Sequence, residues 1–143
     1  MTESAAIRLG GWAELGAEAY AIRHAVFVVE QGVPVELEHD ENDTTALHIL
    51  LTTQDGEPIA TGRLLGDGHI GRVAVLAAHR RQGHGHRLMR VLIAEAGRRG
   101  HPELILHAQT DAQAFYADLG FVQMGAIFME AGIPHVGMRM LLA

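Results

Sequence analysis

With 143 residues, 48% of them apolar and 20% charged, and with no cysteine, the chain is sized for a single domain spanning 1–143 that needs neither disulfides nor a structural metal. The missing thiols exclude a cysteine nucleophile, a cysteine-based zinc site and disulfide redox control. A formal net charge of −6 excludes the nucleic-acid backbone as main partner. Met1 to Gly10, acidic at Glu3, has no leader pattern and no apolar run reaches membrane-spanning length, so no membrane partner and a soluble cytoplasmic protein are expected.

Taken in chain order, Ala6 to Leu9 reads as a short strand. Glu14 to Val29 carries Leu15, Ala19, Ile22, Val26 and Val29 at three-to-four spacing, which predicts a helix. Gln31 to Thr45, with Gly32, Pro34 and an acidic cluster, reads as a long loop. Ala46 to Thr53 and Pro58 to Leu65 are strands joined by a Gln54-Asp55-Gly56-Glu57 hairpin turn, and Gly66-Asp67-Gly68 turns into a third strand, His69 to Leu76. A helix follows from about His84 to Arg99, closed by Gly100 with Pro102 just beyond. Leu104 to Ala108 is a strand and Asp111 to Leu119 a short helix capped by Thr110 and ended at Gly120. Phe121 to Phe128 and His135 to Leu142 form a last pair of strands joined through Glu130-Ala131-Gly132-Ile133-Pro134. No repeat or linker interrupts this order, which specifies an α/β (α+β) protein with helices packed on a mixed sheet.

Charge is divided along the chain. All eleven basic residues are arginine; none lies from Ala25 to Thr61, where eight acids fall, while Gly62 to Gly100 holds eight arginines against Asp67 and Glu95. One half suits a cation and the other a polyanion. The acidic loop from Glu36 to Asp43 is read either as a lid that draws in a cation or as a solvated surface loop.

The segment from Arg72 to Met89 is the most informative. A Val73-Ala74-Val75 strand leads into Arg80-Arg81-Gln82-Gly83-His84-Gly85-His86, a bend with two glycines that opens a helix. Free amides and the helix dipole converge there, and the missing β-carbons let an anion approach the backbone. The absence of Gly-Lys-Ser/Thr excludes a nucleoside triphosphate loop, and the absence of GxGxxG excludes a dinucleotide fold.

These residues resemble the Q/R-x-x-G-x-G/A loop of the GNAT superfamily of acyl-CoA-dependent N-acetyltransferases. Downstream, Ala112-Gln113-Ala114-Phe115-Tyr116-Ala117-Asp118-Leu119-Gly120-Phe121 is similar to that family's A-x-x-FY-x-x-x-GF box. Val26-Phe27-Val28-Val29-Glu30-Gln31 and Gly132-Ile133-Pro134-His135 resemble a branch of small single-domain bacterial members. The resemblance implies the GNAT fold, a mostly antiparallel sheet of six to seven strands flanked by helices. It also implies acetyl-CoA as cosubstrate, with no metal. The implied cofactor site comprises Val73, Ala74 and Val75 along the pantetheine arm, Arg80, Arg81, Gln82, Gly83, His84, Gly85 and His86 around the pyrophosphate, and Gln109, Phe115 and Tyr116 nearer the sulfur. The thioester would lie where neighbouring strands splay apart. Gln109 stands where the family often has asparagine.

Without cysteine, the simplest chemistry is direct attack of a bound amine on the thioester. A lysine-like ammonium must give up roughly 4 to 5 kcal/mol of proton affinity at pH 7, against about 2 kcal/mol for a departing thiolate, so removing the amine's proton matters more than protonating the sulfur. By the resemblance, Tyr116 is the candidate acid. Glu30, read either as a carboxylate whose pKa burial raises or as a helix-end carboxylate, and His135 are candidate bases, and Glu130 joins them in the acceptor site. His48 and His107 read as packed or hydrogen-bonded strand histidines. Arg63 and Arg72, on adjacent strands, are candidates for binding a substrate carboxylate. Ten histidines raise a metal-binding alternative around His79, His84 and His86, but no recognised ligand spacing is present. The acceptor is expected to be a small-molecule or peptide amine. A catalytically silent acyl-CoA sensor is the competing reading, and apolar strand edges near the C-terminus suggest a homodimer.

Overall fold

The computed structural model describes residues 6–142; Glu3, used above against a leader segment, lies outside them. Seven strands form one sheet: β1 (Ala6–Gly10), β2 (Leu47–Thr52), β3 (Pro58–Leu64), β4 (His69–Val75), β5 (Glu103–Gln109), β6 (Val122–Glu130) and β7 (Ile133–Leu141), in the order β1-β2-β3-β4-β5-β7-β6. Every pairing is antiparallel except β4 with β5. This is the mixed, mostly antiparallel sheet expected.

Helix α1 (Trp12–Arg23) lies on one face and α3 (His84–Arg98) on the other. Between them β2 is covered on both sides, which is why Ile49, Leu50 and Leu51 form an unbroken apolar run with no exposed surface. Leu15, Ile22 and Val26 pack on Leu50 and Ala74. Leu88, Met89, Leu92 and Ala96 of α3 bury the opposite side against Ile49, Leu51, Ile59 and Ala60, each leucine contributing roughly 1.5 to 3 kcal/mol. Helix α3 ends as its sequence predicts: Gly100, at φ +85°, donates to Gly97 O at 3.0 Å, and His101 donates to Ala96 O at 3.1 Å. These two bonds satisfy carbonyls that the helix leaves open.

Helix α1 does not stop at Arg23. It widens into a π-helical stretch, His24–Glu30, so the apolar pattern that predicts one helix to Val29 is realised as two windings. The segment read as a loop from Gln31 to Thr45 contains a short helix, α2 (Val35–Glu38), and a 3-10 turn, Glu41–Thr44. Most of it is exposed, as a solvated surface loop should be, but Glu38 and Asp43 turn inward and are buried. The helix read as capped by Thr110 begins instead with a 3-10 turn, Thr110–Ala112, and continues as α4 (Gln113–Asp118) with no side-chain cap. The last hairpin is tighter than expected: Glu130 pairs with Ile133 across a two-residue turn, with Ala131 at φ +53° and Gly132 at φ +76°. Pro134 thus falls inside β7. It is tolerated because pairing with β5 begins only at His135, leaving a neighbour on one side.

Two local features open the sheet. Thr61 pairs with Ala74 and Arg63 with Gly71, so two residues of β4, Arg72 and Val73, stand opposite Gly62 alone. Arg72 takes up the extra residue at φ +53°, and such a bulge bends its strand. Parallel pairing of β4 with β5 covers only His69 with Ile105 and Ile70 with Leu106. Beyond Ile70 the two strands part, and the wedge between them is the centre of a large cleft.

Candidate active site

The cleft has a volume of about 1250 Å3. Its walls are the π-helical stretch and the chain to Leu37, the length of β4, the Arg80–His86 bend, Gln109 to Tyr116, and the β6–β7 turn. All the residues named from the sequence for the cofactor and acceptor line it except Gln82, whose side chain pairs with His84 at 3.1 Å on the exposed surface.

At the foot of the wedge, Arg81 (φ +62°) and Gly83 (φ +84°) are both left-handed, and Gly83 caps α3. The first bond into the helix runs from Arg87 N–H to Gly83 O at 3.1 Å. Among the described residues the N–H groups of Gly83, Gly85 and His86 have no backbone acceptor. A β-carbon on Gly83 would meet nothing within 4 Å, whereas one on Gly85 would meet the Phe115 ring at 3.1 Å. Gly83 therefore serves backbone conformation and open approach, and Gly85 serves the packing of α3 under α4. The ring of His86 stands edge-on to Phe115 at 4.7 Å and bonds Asp118 at 3.0 Å.

Arg80 spans the cleft. Its Nε donates to Val75 O at 2.9 Å, and its two terminal nitrogens donate to the two carboxylate oxygens of Glu30, each at 2.6 Å. Glu30 is exposed rather than buried, and the Arg80 hydrogen bonds hold its carboxyl below the usual carboxylate range against a smaller opposing effect of desolvation. Of the two readings the structure thus fits the helix-end carboxylate and reverses the raised pKa: both oxygens already accept from a cation.

Tyr116 lies half-buried against Phe115 (4.9 Å between centroids, 81°) and Phe121 (6.1 Å, 81°). Burial pushes its phenol up to about 12, so the group stays protonated across the physiological range.

Arg63 and Arg72 reach the cleft with their guanidinium groups already engaged. Arg63 donates to both oxygens of Asp40 (2.7 and 2.9 Å) and to Asp43 (2.8 Å). The bulged Arg72 donates to Glu38 O, Leu37 O and Asp40. Behind them Arg23, wholly buried, donates to Asp43 through two bonds of 2.8 and 3.0 Å and pairs with Glu38. Burial alone would raise the Asp43 carboxyl, but the hydrogen bonds from Arg23 and Arg63 hold it at about 2. The acidic loop is therefore solvated on one side and anchored by ion pairs on the other. Three of its carboxylates, Glu38, Asp40 and Asp43, pair with Arg23, Arg63 and Arg72, which pin it to α1, β3 and β4, while Glu36 and Glu41 stay exposed, and the forks read as substrate-binding hold this wall in place. Sequence reading misses Arg23; the signal was an arginine beside Ile22 on the apolar stripe of α1. His48 is buried, as a packed histidine should be, with Nε2 2.9 Å from Asp43 O.

On the opposite wall, Gln109 Nε2 donates to Gln31 Oε1 at 2.8 Å, tying β5 to the end of the π-helical stretch. His135 is buried, with Nδ1 2.7 Å from Ile133 O and Nε2 3.9 Å from Glu130. His107 Nδ1 lies 2.9 Å from the other Glu130 oxygen. Among the described residues no three His, Asp or Glu side chains are grouped as a metal site, and no helix is long and apolar enough to cross a membrane.

The site is thus a sheet parted between two parallel strands, with the open N-terminus of a helix at the foot of the parting. The GNAT acetyltransferase domain model matches residues 13–142. The uncharacterized N-acetyltransferase YjcF of Bacillus subtilis is 40% identical over 126 residues, covering 85% of this chain and 89% of that protein. Among solved structures, an acyl-CoA N-acyltransferase from Pseudomonas aeruginosa is similar at 35% identity with a TM-score of 0.84, covering 95% of this chain and 99% of that one. ElaA of Escherichia coli is similar at 31% identity with a TM-score of 0.86 and the same coverage of both chains. The chain belongs to the GNAT family and is an N-acetyltransferase.

Proposed function

We propose that the chain, as one domain over 1–143, transfers an acetyl group from acetyl-CoA to a primary amine of a small molecule or peptide by direct attack. One observation carries this reading. β4 leaves its pairing with β5 after Ile70, and the wedge runs down to the open amides of Gly83, Gly85 and His86. An elongated ligand with a diphosphate at one end and an acyl group at the other fits such a cleft. Those amides and the dipole of α3 would hold the diphosphate, aided by Arg80 and Arg81. The unpaired edge of β4 at Val73, Ala74 and Val75 would take the pantetheine amides as a sheet takes a strand. Acetyl-CoA supplies an activated thioester.

The chain's residues position the amine, remove its proton and receive the developing charge on sulfur. As the amine nitrogen bonds the acyl carbon, the carbon–sulfur pair departs with sulfur. A phenol near 12 facing a thiolate near 8.5 would transfer its proton uphill by roughly 5 kcal/mol. Tyr116 therefore acts as a hydrogen-bond donor that stabilises the leaving sulfur, a preorganised dipole rather than a full acid. Glu130 and His135, at the β6–β7 turn, belong to the acceptor side, where an ammonium meets a carboxylate.

The test is acetyl-CoA turnover with a panel of primary amines, read as thiol release and as a mass gain of one acetyl group on the amine. Acetylated product supports the reading. Coenzyme A binding with no product from any amine would favour a sensor, and no binding at all would refute the site.

A further inference from the structure

Resting on the transferase reading above, we infer that His107, oriented by Glu130, is the group that takes the proton from the acceptor's ammonium. Sequence reading places His107 among packed or hydrogen-bonded strand histidines; the structure shows it hydrogen-bonded, to Glu130, and in the cleft wall.

His107 is the first residue of β5 beyond the last pair with β4, Ile70 with Leu106. Its neighbours Leu106 and Ala108 are buried in the core, so by strand alternation its ring stands on the opposite face, with 45% of its side chain exposed. Glu130, from the end of β6, reaches its Nδ1 at 2.9 Å. A carboxylate only accepts, so Nδ1 carries the hydrogen and Nε2 keeps a free lone pair. Among the described residues Nε2 has no side-chain or backbone partner at bonding distance. Phe128 lies edge-on to the ring at 5.1 Å and His69 at 6.2 Å, which holds its plane. A base whose tautomer and orientation are set by a carboxylate is the arrangement that general-base histidines share across unrelated folds.

The other candidates are less free to do this work. Both oxygens of Glu30 accept from Arg80. His135 is buried, its Nδ1 donates to Ile133 O, and its Nε2 faces Glu130 at 3.9 Å from behind. The ring of His69 is held by Asp67 at 3.0 Å. Glu130 and His135 from the β6–β7 hairpin, with His69 and Asp67 from the approach to β4, are the titratable groups facing His107.

The protons balance. An ammonium acceptor loses two: His107 Nε2 takes the first, freeing the lone pair, and its exposed ring returns it to solvent. The second leaves the nitrogen after the nitrogen–carbon bond forms and ends on the sulfur released when the carbon–sulfur bond breaks. Glu130 stabilises the transient imidazolium and attracts the incoming cation.

The experiment compares the full-length wild type, His107→Gln and Glu130→Gln, by thiol release from acetyl-CoA, with a panel of primary alkylamines and with hydroxylamine, a nucleophile already unprotonated at neutral pH. For His107→Gln, kcat with alkylamines is expected to fall about 100-fold and the acid limb of its pH profile to vanish, while KM for acetyl-CoA stays within about threefold. With hydroxylamine the loss shrinks to about threefold or less, because no proton need be removed before attack. Glu130→Gln lowers kcat with alkylamines by about 10-fold and spares hydroxylamine in the same way, since the ring loses the carboxylate that sets its tautomer and orientation. An acid limb that persists in His107→Gln, an undiminished alkylamine kcat, or an equal loss with both nucleophiles would overturn the assignment. Wild-type protein that releases no thiol with any of these amines would refute the transferase reading itself, and the inference with it.

Discussion

Glu30 and Arg80 meet across the mouth of the cleft, each carboxylate oxygen 2.6 Å from a guanidinium nitrogen. The pair joins the end of the π-helical stretch to the bend proposed to hold a diphosphate, and it occupies the fork of the one arginine there that also touches β4, at Val75 O. An exposed pair of this kind contributes at most about 1 kcal/mol. Glu30→Gln frees the fork and removes a negative charge from the anion site, so coenzyme A affinity should rise by up to about fivefold in calorimetry, with turnover retained. Unchanged or weaker affinity would show that Arg80 does not reach the diphosphate.

Gly83 sits at φ +84° with open space where a side chain would begin. Gly83→Val forces a branched side chain into a left-handed conformation, at a cost of roughly 1 to 2 kcal/mol, and turns the amides of the bend away from their common point. Calorimetry should register no coenzyme A binding, with helicity near that of the wild type. Normal affinity would refute the loop assignment.

Tyr116→Phe removes a donor and little volume. Turnover should drop by about 10- to 100-fold, with coenzyme A affinity unchanged. Because the phenol is held at about 12, any alkaline fall in wild-type activity below pH 10 must come from another group and should persist in the variant. A variant with full turnover would remove the hydroxyl from the mechanism.

Asp43 is buried between Arg23 and Arg63, and its neutral variant leaves two cations short of a partner. Asp43→Asn should cost about 3 to 5 kcal/mol in urea unfolding and lower the melting temperature by roughly 10 °C. The pH dependence has a definite sign. The folded-state pKa is about 2 against an ordinary value of 3.8, so the carboxylate's contribution is fully present above about pH 4 to 5 and is lost as pH falls through about 2. In Asp43→Asn that part of the acid instability should be missing, leaving a flatter stability curve between pH 4 and 2.

Much of the architecture was written in short stretches. The Gln54-Asp55-Gly56-Glu57 turn, the stop at Gly100 and the two-glycine bend at Gly83 depend on backbone conformations that a few adjacent residues decide alone, so they are readable in order along the chain. The apolar stripes of α1 and α3 are equally local, since helical spacing reports which face is buried. What the amino-acid order could not disclose was the meeting of residues far apart in it. Glu38, Asp40 and Asp43 read as part of an acidic region and Arg63 and Arg72 as part of a basic one, with Arg23 outside both, and only the docking of the loop against α1, β3 and β4 turns them into a charge-balanced, largely buried lattice. Likewise His107 and Glu130, 23 positions apart, become partners because β7 inserts between β5 and β6 and the hairpin at Ala131 and Gly132 returns the carboxylate to the wedge. Chain-local conformational preference determined the elements; long-range strand pairing and the exclusion of water decided which charges and which histidines face the cleft.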